Sequence, residues 1–159
     1  MMIHKLTIKL DDLRHKAVIL LLEEHLADMQ ATSPPESKHA LDLDDLKSPL
    51  VSFWTAWDKE TLAGCAAYKK IDNNHAEIKS MRTSHAYRGC GIGSILLTHL
   101  IKEAQNQAYT RLSLETGSMP FFAPARAMYE KHGFIYCGPF DNYIDDPNSQ
   151  FMTLDISST

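Results

Sequence analysis

The sequence predicts an α+β protein built on a single mixed sheet, and three observations carry that expectation. At 159 residues, 44% hydrophobic and 23% charged, the chain has the size and composition of one compact domain spanning residues 1–159. From Ser52 to Thr83 β-type residues dominate in consecutive runs. After them the pattern alternates between helix and strand, and strands followed by strand, helix, strand, helix, strand make a mixed sheet rather than a doubly wound parallel one.

Met2–Leu10 opens the chain as a strand, with Ile3, Leu6, Ile8 and Leu10 as its apolar members. Asp11 or Asp12 is placed to cap the next helix, in which Leu13, Ala17, Leu20, Leu21, Glu24 and Met29 fall near helical spacing and carry it to about Met29. Ala31–Ser37 contains Pro34 and Pro35, each of which removes a backbone donor and turns its predecessor away from helix. This polar loop has the length of a binding loop or lid rather than a domain linker. His39–Lys47 reads as a short amphipathic helix, with Leu41, Leu43 and Leu46 set among Asp42, Asp44 and Asp45 on a solvated face. Val51–Trp57, Leu62–Ile71 and Ala76–Thr83 form an antiparallel meander with turns at 58–60 and 72–74. The apolar helix Ile92–Gln107, strand Arg111–Thr116, helix Phe122–His132 and strands near Phe134–Cys137 and Phe151–Ile156 complete the order.

Several function classes fall away on composition. The longest apolar run, Ala17–Leu22, passes directly into Glu23 and Glu24 and is far short of the roughly 20 residues that cross a bilayer. Met1–Lys5 has neither a long apolar stretch nor a small-residue cleavage site, so the chain reads as cytoplasmic. Sixteen Lys and Arg against twenty Asp and Glu leave a net charge of −4, with no general attraction for nucleic acid or anionic lipid. Cys65, Cys90 and Cys137 include no Cys-x-x-Cys pair and fit reduced thiols. His75-Ala76-Glu77 imitates the His-x-Glu of zinc deaminases without their Pro-Cys-x-x-Cys partner, no His-Glu-x-x-His occurs, and no metal is expected. The lack of Gly-x-Ser-x-Gly argues against a serine hydrolase.

The most informative stretch is Tyr87-Arg88-Gly89-Cys90-Gly91-Ile92-Gly93-Ser94, between a strand and a helix whose apolar residues recur at helical spacing. Glycines allow a tight turn, and the backbone N–H groups at a helix N-terminus then point together at an anion that the macrodipole favours. A pyrophosphate is the natural ligand. A dinucleotide fingerprint would need glycine where Ser94 stands, and no Gly-Lys-Ser/Thr follows for a P-loop. The plainer alternative is a glycine turn that only starts a core helix; three glycines in five residues behind an arginine argue against it.

Arg88–Gly93 matches the Arg/Gln-x-x-Gly-x-Gly/Ala loop of the GNAT superfamily of N-acetyltransferases, and Ala125–Phe134 resembles its downstream helix-to-strand motif. The resemblance spans nearly the whole chain and weakens through residues 30–50. Leu114-Glu115-Thr116-Gly117, followed by Phe122-Ala123-Pro124-Ala125-Arg126, is similar to a bacterial acetyltransferase subgroup. The resemblance implies a GNAT-like mixed, mostly antiparallel twisted sheet flanked by helices and splayed between its fourth and fifth strands. It implies acetyl-CoA as co-substrate in that gap, with the amides of Arg88, Gly89, Cys90, Gly91, Ile92, Gly93 and Ser94 on the pyrophosphate. The neighbouring strand segment Met81, Arg82 and Thr83 would pair with pantetheine through the main chain of Met81 and Thr83, and Tyr129 would donate a proton to the departing thiolate. Two positions depart from the family pattern: Cys90 stands where Lys or Arg is common, and Phe122, seven before Tyr129, where many members carry a cofactor-contacting Asn. Homodimers are common in the superfamily, and the sequence leaves the oligomeric state open.

An alkyl amine with a pKa of about 10.4 is almost entirely protonated at neutral pH, so acetyl transfer to it calls for a general base. Glu115 closes its strand opposite in alternation to Leu112 and Leu114, at the end where the family's cleft lies. Glu77 is the second candidate, although with Lys79 on its own strand face it also reads as a plain cross-strand ion pair. Tyr129 either assists the thiolate or packs half-buried on the sheet. Cys90 lies where a thiolate is stabilised, yet no motif places a His or acid beside it, so direct transfer is expected. Around the acceptor, Pro34–His39, Arg82 and Phe140–Asp146 form the expected border. Arg82 reads either as the partner of an acceptor carboxylate or as an ion-paired strand residue, and the Asp-rich segments suit a polyamine. Trp54 and Trp57 fall on opposite faces, one expected in the core and the other with Phe53 on the acceptor side. The reading is a single-domain acetyltransferase for a small-molecule amine or amino acid, with no nucleic-acid or membrane partner. A non-catalytic acyl-CoA-binding sensor is the competing class.

Overall fold

The computed structural model describes residues 6–32 and 43–157. Seven strands form one open sheet in the order β1 (Thr7–Leu10), β2 (Val51–Asp58), β3 (Thr61–Lys70), β4 (His75–Thr83), β5 (Arg111–Gly117), β7 (Ser149–Asp155), β6 (Ile135–Cys137). Every neighbouring pair is antiparallel except β4 and β5, which run parallel, as the crossover through a helix between them requires. Helices α1 (Lys16–Thr32) and α2 (Leu43–Leu46) cover one face; α3 (Ile92–Asn106) and α4 (Ala123–Lys131) cover the other. This is the mixed α+β architecture expected from the order of patterns.

Strand alternation sorts the core into two layers. Val18, Leu21 and Leu22 of α1 pack on Phe53, Trp57, Leu62, Cys65 and Ala67. Ile92, Leu96, Leu97 and Leu100 of α3 pack on Trp54, Ala66, Ile78, Leu112 and Leu114. Trp54 and Trp57 do take opposite faces, but both are buried, as is Phe53, so none lines an acceptor side. Trp57 is held there by its Nε1–H, which donates to Thr55 Oγ1 at 2.8 Å, and Trp54 by edge packing against His99.

Element boundaries differ from the sequence reading for local reasons. Residues 2–5 of the expected first strand, 33–37 of the proline loop and 39–42 of the short helix lie outside the described residues; the described part of that helix is α2. Asp11 and Asp12 do not cap α1. Their carboxylates accept from the amides of Leu13 and Arg14, two residues on, in a turn where Leu13 takes φ 66°. His15 caps the helix instead, its Nδ1 accepting from Ala17 N at 3.0 Å. Leu20, expected on the buried face, is 56% exposed, and the buried stripe runs through Val18, Leu21 and Leu22. A short 3-10 turn, Pro120–Phe122, precedes α4, which therefore starts one residue later than expected.

Two irregularities shape the sheet. Cys65 pairs with Arg82 and Ala67 with Lys79, so two residues of β4, Ser80 and Met81, oppose one of β3, Ala66, and Ser80 takes φ 52°. That β-bulge twists β4 beyond Lys79. In addition, β4 and β5 share only three registered pairs, His75–Arg111, Ala76–Leu112 and Glu77–Ser113, and then diverge over the rest of their lengths. The splay expected between the fourth and fifth strands is present.

Gly64 sits where β3 meets both β4 and α3: a Cβ there would lie 2.8 Å from Arg82 O, 3.0 Å from Ile92 Cγ2 and 3.1 Å from Leu96 Cδ1. Two of these neighbours belong to the fully buried α3 stripe, so they have little room to yield. Gly64→Ala is expected to destabilise the fold by about 1–3 kcal/mol through overpacking, read from urea unfolding midpoints at an unchanged m-value.

Candidate active site

The splay opens a cavity of about 450 Å³ between β4 and β5. Its walls follow from strand parity. Lys79 and Arg82 oppose Ala67 and Cys65, which belong to the α1 layer, so their side chains lie on the α1 face. Glu115 alternates with Leu112 and Leu114 of the α3 layer and lies on the α1 face as well. His25 and Met29 of α1 close that side. On the opposite face the cavity is bounded by Ile78, Met81 and Tyr129.

The glycine loop leads into α3. Ser84 N donates to Ala63 O at 2.8 Å, and the buried Tyr87 hydroxyl donates to Asp58 Oδ2 at 3.0 Å, which pins the chain just before it. Gly89 and Gly91 have φ 79° and 81°, and a Cβ at either would meet nothing within 4 Å, so they serve backbone conformation and an open approach. Gly91 is the N-cap of α3 without a side-chain cap, and the first-turn amides have no intrahelical acceptor. Gly93 serves packing: a Cβ there would come within 2.9 Å of Met128 Sδ of α4. The amide of Cys90 is turned inward to Tyr87 O at 3.2 Å, whereas Arg88 and Thr83 border the cavity.

The two candidate carboxylates have different surroundings. Glu77 is 2% exposed and does not line the cavity; Tyr143 Oη donates to its Oε2 at 2.5 Å and Lys79 Nζ lies 3.1 Å from the same oxygen. Lys79 Nζ also donates to Tyr143 Oη at 2.8 Å, which closes the triangle. Burial, with Glu77 beside it, pushes the Tyr143 phenol up. Glu115 does line the cavity. Burial raises its carboxyl above the ordinary range, against the opposing pull of Ser149 and Lys79. The segment Phe140–Asp146, expected at the acceptor border, packs Phe140 and Tyr143 on Phe151 and so supports Glu77 and Lys79 from behind.

Tyr129 is buried at the cavity wall, and its hydroxyl faces a sulfur, Met81 Sδ, at 3.7 Å. Burial pushes this phenol up to about 12. Phe122 is buried too. Its ring occupies the space beside Gly117, where a Cβ would fall 2.1 Å from Phe122 Cδ2. Arg126 ties that corner to α4 through Nη1, which donates to Gly117 O at 2.6 Å and Met119 O at 3.2 Å.

Arg82 is ion-paired rather than available. Its Nη2 is 2.7 Å from Glu24 Oε1 and 2.7 Å from Asp28 Oδ2, both on α1. His25, between those two carboxylates in sequence, was not singled out among the sequence candidates; the spacing 24, 25, 28 on one helix is its only sequence signal. Burial, reinforced by Arg82, lowers its imidazole to about 4, so it is neutral at physiological pH.

A glycine cradle at a helix start, a parallel pair that splays, and a carboxylate and a phenol on opposite walls are the features to compare with known proteins. The acetyltransferase (GNAT) family matches residues 19–134. The chain belongs to this family. It is 53% identical to the uncharacterized N-acetyltransferase YsnE of Bacillus subtilis over 92% of this chain and 97% of the relative. It is 38% identical to the IAA acetyltransferase of Azospirillum brasilense over 86% and 88% of the two chains. The solved GNAT acetyltransferase of Elizabethkingia anophelis, which carries acetyl-CoA, shares the fold with a TM-score of 0.68 at 18% identity, covering 96% and 99%. The chain is thus an acyl-CoA-dependent N-acetyltransferase. Among the described residues, no helix is long and apolar enough to cross a membrane and no group of His, Cys, Asp and Glu is placed to hold a metal.

His25 ties stability to pH. Its folded pKa of about 4 lies below the ordinary 6.5, so between these values the unfolded chain binds the extra proton. The contribution is therefore complete above pH 6.5 and falls as pH drops toward 4. Compared with His25→Gln, the wild type should lose up to about 3 kcal/mol more stability between pH 7 and pH 4, read from urea unfolding at each pH.

Proposed function

We propose that this N-acetyltransferase uses acetyl-CoA to acetylate a small-molecule amine by direct attack, with Glu115 as general base and Tyr129 as the group that serves the leaving sulfur. The observation that carries the reading is the single cavity with Glu115 on its α1 face and Tyr129 on the other, at the open end of the β4–β5 ladder. A 38% identical relative, named IAA acetyltransferase, supports a small acceptor.

The glycine loop fits a pyrophosphate: the φ values of Gly89 and Gly91 and the uncapped first turn of α3 present amides where the helix dipole favours an anion. The amides of Arg88 and Cys90 are taken by His85 O and Tyr87 O, so the other amides of the 88–94 loop take that role, and the diverging edge of β4 at Met81, Arg82 and Thr83 offers main-chain partners to pantetheine and to the developing oxyanion. The thioester supplies the activated acetyl group. Glu115 accepts the proton of the acceptor ammonium, directly or through a water, and burial brings its carboxyl closer to the working pH of a general base. Tyr129 holds its proton tightly, so its hydroxyl acts as a hydrogen-bond donor to the developing thiolate, as it does now to the Met81 sulfur. Glu77, held by Tyr143 and Lys79, is the lesser candidate for the base.

Thiol release measured over a panel of amines tests this. Glu115→Gln should lower kcat/KM by about 10²-fold and abolish the loss of rate that protonation of Glu115 causes as pH falls. Tyr129→Phe should lower kcat by a similar factor of about 10² while calorimetric acetyl-CoA affinity stays close to wild type. Tight acetyl-CoA binding without thiol release for any amine would instead identify the sensor, and unchanged turnover in either variant would remove that residue from the mechanism.

A further inference from the structure

We propose that the acceptor is a cationic amine without a carboxylate, a diamine or decarboxylated amine rather than a free amino acid. The inference rests on the reading of this cavity as the acetyl-transfer site and narrows its acceptor.

The α1-face wall carries two cations, Lys79 and Arg82, and the carboxylate of Glu115, and the ion-pair partners Glu77, Glu24 and Asp28 stand beside those cations without lining the cavity. Lys79 lies 3.1 Å from Glu77, and Arg82 spans Glu24 and Asp28 at 2.7 Å each. Counted together with these partners, two positive charges against four negative ones leave a local excess of two negative charges on this side, and His25 adds none while neutral. The other basic residue lining the cavity, Arg88, opens the glycine loop and belongs to the pyrophosphate end.

An arginine on this wall is the natural receptor for an acceptor carboxylate, and Arg82 is already committed. Its side chain is 7% exposed, with both carboxylates on one nitrogen. A third carboxylate brought to this guanidinium would lie against two like charges in a partly buried site, which is a mechanism of rejection. The Nε–H of Arg82 is buried and has no hydrogen-bond partner among the described residues. It suits a neutral oxygen such as a water or hydroxyl. The lining also includes apolar side chains, Met29 on the α1 side and Ile78 on the opposite one, which suits a methylene chain. One amine would then be presented to Glu115 and the other end held by the excess negative charge.

Two matched pairs of acceptors isolate the carboxylate: 1,5-diaminopentane against lysine, and tryptamine against tryptophan. With the full-length wild type and saturating acetyl-CoA, kcat/KM for thiol release should favour the decarboxylated member of each pair by about tenfold or more. The Glu24→Gln, Asp28→Asn double variant releases Arg82 and should narrow the ratio by raising the rate with lysine and tryptophan; circular dichroism and thermal melting establish that it folds. Equal or better rates with the amino acids in the wild type overturn the inference and leave the acetyltransferase reading standing, and this arm does not depend on the variant. No release with any amine overturns both. A folded double variant whose ratio does not move removes Arg82 and its two carboxylates as the cause.

Discussion

The parallel ladder between β4 and β5 ends after Glu77 and Ser113, and the site follows from that ending. A parallel pair inside a sheet ordinarily spends the main-chain groups of both strands on each other over their full length. Here the bulge at Ser80 adds twist to β4 just past the last pair, while β5 remains registered with β7 through to Gly117. The two halves of the sheet therefore diverge with each half internally laddered, and the wedge between them is bounded by β4 and β5 rather than by loops. Because alternate side chains of these strands face opposite layers, one gap reaches both the α1 and the α3 faces. Glu115 and Tyr129 can then stand on opposite sides of one gap without either crossing the sheet.

Arg82 links this gap to α1. Glu24 and Asp28 are 52% and 39% exposed, so as surface ion pairs each would contribute at most about 1 kcal/mol. The buried guanidinium changes the balance, because losing both partners would strand a desolvated charge, and that penalty exceeds the worth of either pair. The same cation helps keep His25 neutral. Anchoring α1 and setting the charge of the cavity wall are thus one interaction. The cations of this wall, Lys79 and Arg82, come with carboxylates of their own, whereas Arg88 stands at the glycine loop.

What the sequence disclosed is what depends on neighbours along the chain. The glycine loop, the helix behind it and the three-strand meander were legible because their signals, φ-permissive residues and hydrophobic period, are local. The splay was reachable only through family resemblance, since no local feature tells a strand where its ladder ends. Asp11 and Asp12 have the residue type of helix caps, yet their carboxylates close turns two residues on, and a histidine took the cap. Glu77 and Glu115 were indistinguishable by alternation because both face α1. The difference between them is made by Tyr143, 66 positions from Glu77, and the Arg82–Glu24 pair spans 58 positions. Such pairings leave no trace in composition or period.

Phe122 shows how a departure from a family pattern is read physically. Taken alone, a phenylalanine where relatives carry a cofactor-contacting asparagine suggests a weakened site. In the structure its ring fills the volume that any side chain on Gly117 would claim, so the glycine that ends β5 and the phenylalanine that begins α4 are a matched pair. Arg126 binds the carbonyl of that same glycine, and Phe121 packs edge-on against Phe122. The corner is a packed aromatic wall fixed to both β5 and α4. Glu115, two residues before Gly117, and Tyr129, two turns along α4, are the residues that this corner holds in relation to each other. The phenylalanine is therefore a packing residue here, and it reinforces the geometry that brings Glu115 and Tyr129 to one cavity.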